Sequence, residues 1–455
     1  MNNQGNCENK MGTMPEGRLL MTMALPIMIS MLVQAFYNIV DSYFVSLLSE
    51  NAFNAVGLAF PIQALMIAVG AGTGVGMNAL LSRSLGEGKQ EMADRAANSG
   101  IFLALISGLA FALLGLLGSK AFFEVQAASV PEIVAMGTTY TSIVTLCSGA
   151  MFVQFCIERL LQATGRATRS MATQLLGAVL NIVLDPILIF GLFGLPALGV
   201  AGAAWATVIG QALSALLGLW MNLFRNPEIH LDRRCFRYDG PVIRETYRVG
   251  LPSIIMQSIT SVMTFGLNHI LFAFTPTATA VFGAYFKIQS FVFMPIFGMN
   301  NGLVPIISYN YGACKPKRVR KTIRLALLAA LTVLTAGMLL FQLFPGELIS
   351  IFNASEEMMR LGIPAMRIIS LGFPLAAFGI IACSVCQAIG NPNHAMIASV
   401  CRQLVVLLPV AWLLAQSGQL SLVWWCFPIA EVVSFVMCIF FYRSALAKMK
   451  AKIGE

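Results

Sequence analysis

The stretch ALPIMISMLVQAFYNIVDSYFVSLL, residues 24–48, holds one charged side chain, Asp41, among 25 residues. About 20 predominantly apolar residues cross the hydrocarbon core of a bilayer as a helix. The stretch lacks the period-two alternation of a barrel strand, and in lipid the backbone must satisfy its own hydrogen bonds, so the segment reads as a spanning helix. Runs of the same kind recur at 19–46, 54–80, 97–119, 132–157, 171–193, 198–224, 250–273, 278–304, 323–344, 361–386, 395–416 and 421–442. The fold class that follows is an all-α polytopic membrane protein with twelve transmembrane helices. Composition agrees: 58% of the 455 residues are hydrophobic and 11% are charged, with a mean hydropathy of +0.78. Soluble domains carry about 25% charged residues, so a water-soluble protein is excluded, and twelve spans leave chain for short loops only.

The formal net charge of +9 is a topology signal. Twenty-five of the 29 Lys and Arg, all except Lys120, Lys287, Arg360 and Arg367, fall on alternate sides of the spans together with both termini. Basic residues are retained in the cytoplasm. The expectation is a multi-pass protein of the cell membrane with cytoplasmic termini, not a nucleic-acid-binding protein. The polar first 18 residues lead into a long run with no small-residue cleavage site, so a cleaved signal peptide is not expected. The expected organisation is a tail over 1–18, an N-lobe of six helices over 19–224, a basic linker over 225–249, a C-lobe of six helices over 250–442 and a basic tail over 443–455.

The two halves repeat. At an offset of 226, Pro26 meets Pro252, Gly57 meets Gly283, Gln63 meets Gln289, Gly76 meets Gly302, Ser82 meets Ser308, Gly86 meets Gly312 and Lys89 meets Lys315; at 225, Gln162, Ala163, Gly165 and Met171 meet Gln387, Ala388, Gly390 and Met396. Each half has an even number of spans, so both enter from the same side and repeat in parallel about an axis along the membrane normal. Alternating-access transporters are built this way, with the substrate site near the midplane. Nothing resembles a selectivity-filter loop.

Duplication explains what the halves share, so polar residues that only one half keeps are the informative ones. Four carboxylates fall within or at the edge of spans: Asp41, Glu158, Asp185 and Glu431. A carboxylate at the bilayer centre costs about 2.5–3.5 kcal/mol on insertion scales, which marks a functional group. Asp41 aligns with Leu267 and Asp185 with Val410, so both acids belong to the first half alone. Tyr37 and Asp41 share a helix face at i, i+4, as do Asn181 and Asp185. Pro186 removes the helical hydrogen bond to the carbonyl of Ile182 and loosens the helix beside Asp185. Oxygen ligands of this kind suit a hard cation, Na⁺, or a proton, and two facing carboxylates in low dielectric favour proton uptake. In the second half, two readings stay open for Lys287 and Glu431: a pair, or a snorkelling lysine and a glutamate facing a cationic substrate.

Other signals carry less. Gly70–Gly76 completes no G-x-G-x-x-G frame and follows no strand, so it reads as close helix packing. There is no phosphate-binding P-loop. His230, His269 and His394 sit in unrelated regions, and no nucleophile and base, or metal set, marks an enzyme. No cofactor is expected beyond a coupling ion, and no metal beyond Na⁺ at Asp41, Asn181 and Asp185. The ten cysteines lie mostly in apolar runs, and Cys383-x-x-Cys386 reads as packing, not as a redox pair.

At this point the residues resemble a known family. The first span as quoted, AVGLAFPIQ (55–63) with SRSLGEGK (82–89), LLQATGRA (160–167), NIVLDPILIFG (181–191) and GAAWAT (202–207) are similar to the multidrug and toxic compound extrusion (MATE) family, over about residues 15–445. The resemblance is greatest to the bacterial branch with an acid in span one and N-x-x-x-D in span five. It implies a V-shaped pair of six-helix lobes, related by pseudo-two-fold symmetry, that exports organic cations or other drugs in exchange for Na⁺ or H⁺. By motif, Asp41, Asn181 and Asp185, with Tyr37 and Thr207, match the first-lobe cation and proton site, and Gln34 falls at a position like a substrate contact. Two departures stand out. Thr260 occupies the place of a second-lobe acid found in another branch. The loop after span four has Gln162 where Arg is usual and Glu158 where an amide is usual, which makes the first-lobe cavity more acidic and suits cationic substrates. The expected activity is secondary active multidrug efflux by a monomer in the lipid bilayer. The alternative is a flippase of lipids or lipid-linked oligosaccharides, whose cavity would carry more Arg for phosphate.

Overall fold

The computed structural model describes residues 9–127, 130–232, 238–352 and 354–453, and among these every regular element is helical. Among the described residues, ten helices are long and apolar enough to cross a membrane, and the number reaches 12 when each of two bent pairs is one span. Spans one to three are Glu16–Ser46, Glu50–Gly86 and Gln90–Ala127. Span four is Pro131–Leu146 with Ser148–Ala163, bent by 47°. Spans five to nine are Ala167–Phe190, Val200–Arg225, Gly240–Phe272, Pro276–Gly312 and Pro316–Leu343. Span ten is Glu356–Ser370 with Phe373–Ile389, bent by 48°; spans eleven and twelve are Pro392–Ala415 and Leu420–Lys450. The helices outrun the apolar stretches because helical hydrogen bonding continues past the lipid until a cap ends it. Large apolar side chains such as Leu117 and Phe265 remain about four-fifths exposed, as a surface facing lipid tails requires.

The repeat is visible bond by bond. Spans two and eight begin and end exactly 226 residues apart. Each opens on a hydroxyl cap: Ser49 accepts from the Ala52 amide at 3.0 Å and Thr275 from the Thr277 amide at 3.3 Å. The Ser82 hydroxyl donates to the carbonyl of Ala163 at 3.1 Å, and the Ser308 hydroxyl to that of Ala388 at 3.1 Å. Gly165 and Gly390 end the bent spans with φ of +81° and +87°, a backbone region that excludes most side chains.

The chain forms two compact units, Leu25–Ile254 with the segment up to Lys10, and Met11–Ala24 with Ile255–Glu455. This differs from the expected division into 19–224, 225–249 and 250–442. The first turns of spans one and seven are exchanged, and the second part of the expected linker is already helical from Gly240. The cause lies at a repeated glycine. In the first unit a Cβ on Gly76 would sit 2.1 Å from the carbonyl oxygen of Thr246 and 2.8 Å from the amide of Gly250. In the second, a Cβ on Gly302 would sit 3.1 Å from the backbone of Ala24. At Gly76 only a bare backbone admits the entering helix so closely, and at Gly302 the fit is tight. Ion pairs tie the same turns down: Arg83 to Glu245 at 3.0 Å, and Lys321 to Glu16 at 3.0 Å. Pro26 and Pro252 follow at once and release the helix from its i→i−4 bonds, where each chain segment passes from one unit to the other.

Candidate functional site

Within the first unit, spans one and five bring Asp41 and Asp185 together. Their carboxyl groups are in hydrogen-bonding contact, and Oδ1 of each is buried with no hydrogen-bond donor among the described residues. Asp185 is fully buried and Asn181, one turn earlier, is nearly so. With its amide oriented to satisfy both ends, Asn181 donates to Asp185 Oδ2 at 3.2 Å and accepts from the Thr207 hydroxyl at 3.2 Å and the Thr207 amide at 3.3 Å. Span six thus holds Asn181 through Thr207, and Asn181 holds one oxygen of Asp185 and leaves the other, Oδ1, without a donor among the described residues. Pro186 continues the helix without donating a backbone bond to Ile182.

Tyr37 lies one turn before Asp41, within the electrostatic reach of Asp41, Asp185 and Glu158, and its hydroxyl is beside Gln34. Gln34 itself is exposed. Two residues join the cluster that reasoning from charge did not single out. The Tyr140 hydroxyl of span four lies within electrostatic reach of Asp41, Tyr37 and Asp185, and accepts a hydrogen bond from Gln63 of span two at 2.9 Å. A signal existed: at the repeat offset Tyr140 matches Ala365, so it too is polar in one half only.

Glu158 is buried and doubly satisfied, accepting from Gln154 at 2.9 Å and from Gln174 of span five at 2.7 Å. Its neighbour Arg159, also buried, donates to Gln162 at 2.9 Å, and Gln162 donates to Ser170 at 3.0 Å. Gln162, in the place where Arg is usual, therefore receives a guanidinium from one turn earlier.

The second unit is arranged differently. Glu431 does not pair with Lys287; Arg402 donates to it at 3.0 Å, and the Lys287 ammonium sits 5.8 Å from the centre of the Phe352 ring. Arg402 is among the basic residues that the charge count credits to the cytoplasmic side, yet it lies inside span eleven, in the π-helical turn Cys401–Leu407. The widened turn places a guanidinium where a charge count by loops assigned none to the membrane. At the repeat offset Arg402 and Glu431 match Gly177 and Ala206. Between its equivalent helices, spans five and six, the first unit thus has the neutral Asn181–Thr207 link that orders Asp185, and the second has a closed ion pair.

These features define a polytopic helical membrane protein of two repeated six-span halves, with its acid cluster inside the first. The MatE family profile matches residues 26–187 and again 252–413, two segments whose ends lie 226 residues apart, as the repeat requires. The chain belongs to the MatE family. It is 26% identical over 442 residues to the multidrug export protein MepA of Staphylococcus haemolyticus, covering 96% of each chain, and 24% identical to MepA of Staphylococcus aureus, covering 97% of each. Among solved structures it is similar to an outward-facing multidrug resistance MATE family transporter of the MOP superfamily and to a MOP superfamily transporter from Pyrococcus furiosus with a binding pocket of reverse polarity. Each match has a TM-score of 0.90 at 26% identity, over 97% of this chain and 98% of the other.

Proposed function

We propose that this protein is a secondary active multidrug exporter that moves amphipathic, cationic organic compounds out of the cell in exchange for Na⁺ or H⁺. It does so as a monomer in the cell membrane with both termini cytoplasmic. The observation that carries this reading is the contact between Asp41 and Asp185, each with a buried oxygen that no donor reaches. Two carboxylates cannot meet in an apolar bundle as bare anions. A shared proton or a hard cation between the two carboxyl groups removes the repulsion, and the orphaned oxygens are the donor type such a cation takes. Names of relatives at 24–26% identity, multidrug export proteins, support the substrate class.

In this scheme the chain binds a cation or proton at Asp41 and Asp185 in one access state and drug in the other, so that each ligand is favoured where the other is released. Asn181 and Thr207 fix the Asp185 carboxyl; Tyr37, Tyr140 and Gln63 present hydroxyl and amide groups to the same cluster. Glu158, held by two glutamines, adds negative charge that favours a cationic drug. The test is efflux of a fluorescent cationic dye from proteoliposomes with Na⁺ and proton gradients imposed separately, for the native chain and for Asp185→Asn. One gradient drives efflux in the native chain and neither does in the variant. Undiminished gradient-driven efflux by Asp185→Asn overturns the assignment.

A further inference from the structure

On the side of the first unit that carries its basic loops, a cavity of about 590 Å³ opens between Arg166, at the start of span five, and the segment 223–231 that leaves span six. Two arginines line it, Arg166 and Arg225, and Arg169 lies beside them. Arg166 donates through Nε to Asn226 Oδ1 at 3.2 Å, which fixes the guanidinium and leaves both its Nη groups without a hydrogen bond among the described residues. Arg169 donates to the backbone carbonyl of Arg225. The Arg225 guanidinium lies 5.8 Å from the centre of the Trp220 ring. Lys10 approaches the same place: its ammonium is held below the usual lysine range by burial first and then by Arg166 and Arg169. Two acids nearby are already engaged. Glu228 acts on Arg166, while Asp94 is engaged with His230, accepting from its backbone amide at 2.7 Å and lying 3.3 Å from its ring. Cations that repel one another around a cavity are stabilised by an anion placed inside it.

The lip of the cavity identifies the kind of anion. Trp220, Leu223 and Phe224, on the last turns of span six, are 47%, 48% and 71% exposed. A free phosphate has no use for such a rim, whereas a phospholipid offers a phosphate to Arg166 and Arg225 and an acyl chain to the exposed side chains. Arginine forks match phosphate oxygens in pairs, and basic pockets between membrane helices accept anionic headgroups. We propose that the pocket between Arg166, Arg225 and Asn226 binds the phosphate of an anionic phospholipid headgroup, with the acyl chain lying along Leu223 and Phe224.

The test uses the full chain purified in detergent and titrated with phosphatidylglycerol or phosphatidylcholine, with bound lipid read by native mass spectrometry. Phosphatidylglycerol is expected to be retained about tenfold better, and the Arg166→Gln, Arg225→Gln double variant to lose that preference. Arg225 is exposed, so Arg225→Gln alone serves if the double variant does not fold, and it should show a partial loss. A thermal-shift arm adds inorganic phosphate alone. Equal retention of the two lipids, unchanged preference in Arg225→Gln, or stabilisation by inorganic phosphate as large as that by phosphatidylglycerol each overturns the proposal, the last by reassigning the pocket to a soluble anion.

Discussion

Arg402 donates to Glu431 at 3.0 Å in the second unit, on the helices equivalent to those that hold Asp185, Asn181 and Thr207 in the first. One pair of helices, duplicated, therefore carries two polar solutions. In the first unit the oxygens remain free to take a ligand; in the second the charges close on each other, and the ion pair is read as structural. Removing one partner of a buried pair costs about 3–5 kcal/mol, while replacing both by apolar residues is close to neutral. The side chains here keep 27% and 19% of their exposure, which places the cost at the lower end. Arg402→Met is expected to lower the melting temperature in detergent sharply, and Arg402→Met with Glu431→Leu to recover most of it with dye efflux intact. A stable but transport-dead double variant would show that the pair takes part in transport.

The acid cluster makes a second prediction, on positioning. Thr207→Val removes one of the two donors to Asn181, and Asn181→Leu removes the donor to Asp185 Oδ2 at 3.2 Å. A hydrogen bond to a charged group contributes about 1.5–3 kcal/mol, so Asn181→Leu should shift coupling by roughly tenfold to a hundredfold by that measure, towards tighter binding for a proton, because the lost donor favours the ionised carboxyl, and towards weaker binding for Na⁺, and Thr207→Val by less. The readout is the gradient needed for half-maximal efflux, which a folding defect would not shift. Equal shifts in both variants argue against the ordering of Asp185 through Asn181.

Glu158 gives a third. Glu158→Gln removes the charge and retains an acceptor for one of the two glutamines that serve the native side chain at 2.9 and 2.7 Å. Efflux of cationic dyes should fall several-fold relative to neutral substrates in the same vesicles. A uniform fall for both classes would make Glu158 a structural group and remove it from the substrate reading.

What the sequence disclosed depended on how local the physical demand was. Lipid requires long uncharged runs, so twelve spans were readable from composition along the chain, and duplication was readable from glycines and prolines at a fixed offset. The acids Asp41 and Asp185 stood out because a charge in a span is costly wherever it sits. Tyr140 and Gln63 did not, since a neutral polar side chain in a helix signals nothing until its neighbours are known. Arg402 is hidden for another reason: a basic residue in the cytoplasmic half of a span looks like loop charge when only the positive-inside bias is counted. The exchange of the first turns of spans one and seven is tertiary altogether, set by which backbone each helix meets.

That exchange yields the last prediction, because the two repeated glycines are not equally tight. A Cβ on Gly76 would fall 2.1 Å from the carbonyl of Thr246, a backbone atom that cannot swing away, whereas on Gly302 the nearest atoms, the backbone of Ala24, stand at 3.1 Å. Forcing a methyl into a packed contact costs about 1–3 kcal/mol, and a few tenths of an ångström of give lowers it. Both substitutions gain a little helix propensity, about 1 kcal/mol for Gly→Ala, which offsets the strain at Gly302 but not at Gly76. Gly302→Ala should therefore fold and melt within a few degrees of the native protein, and Gly76→Ala should melt markedly lower. Because Gly76 supports the turn from which Pro252 releases span seven, Gly76→Ala should also reduce dye efflux at temperatures where it is still folded. Equal melting temperatures for the two variants would mean that the entering helix is not held by close backbone contact at Gly76.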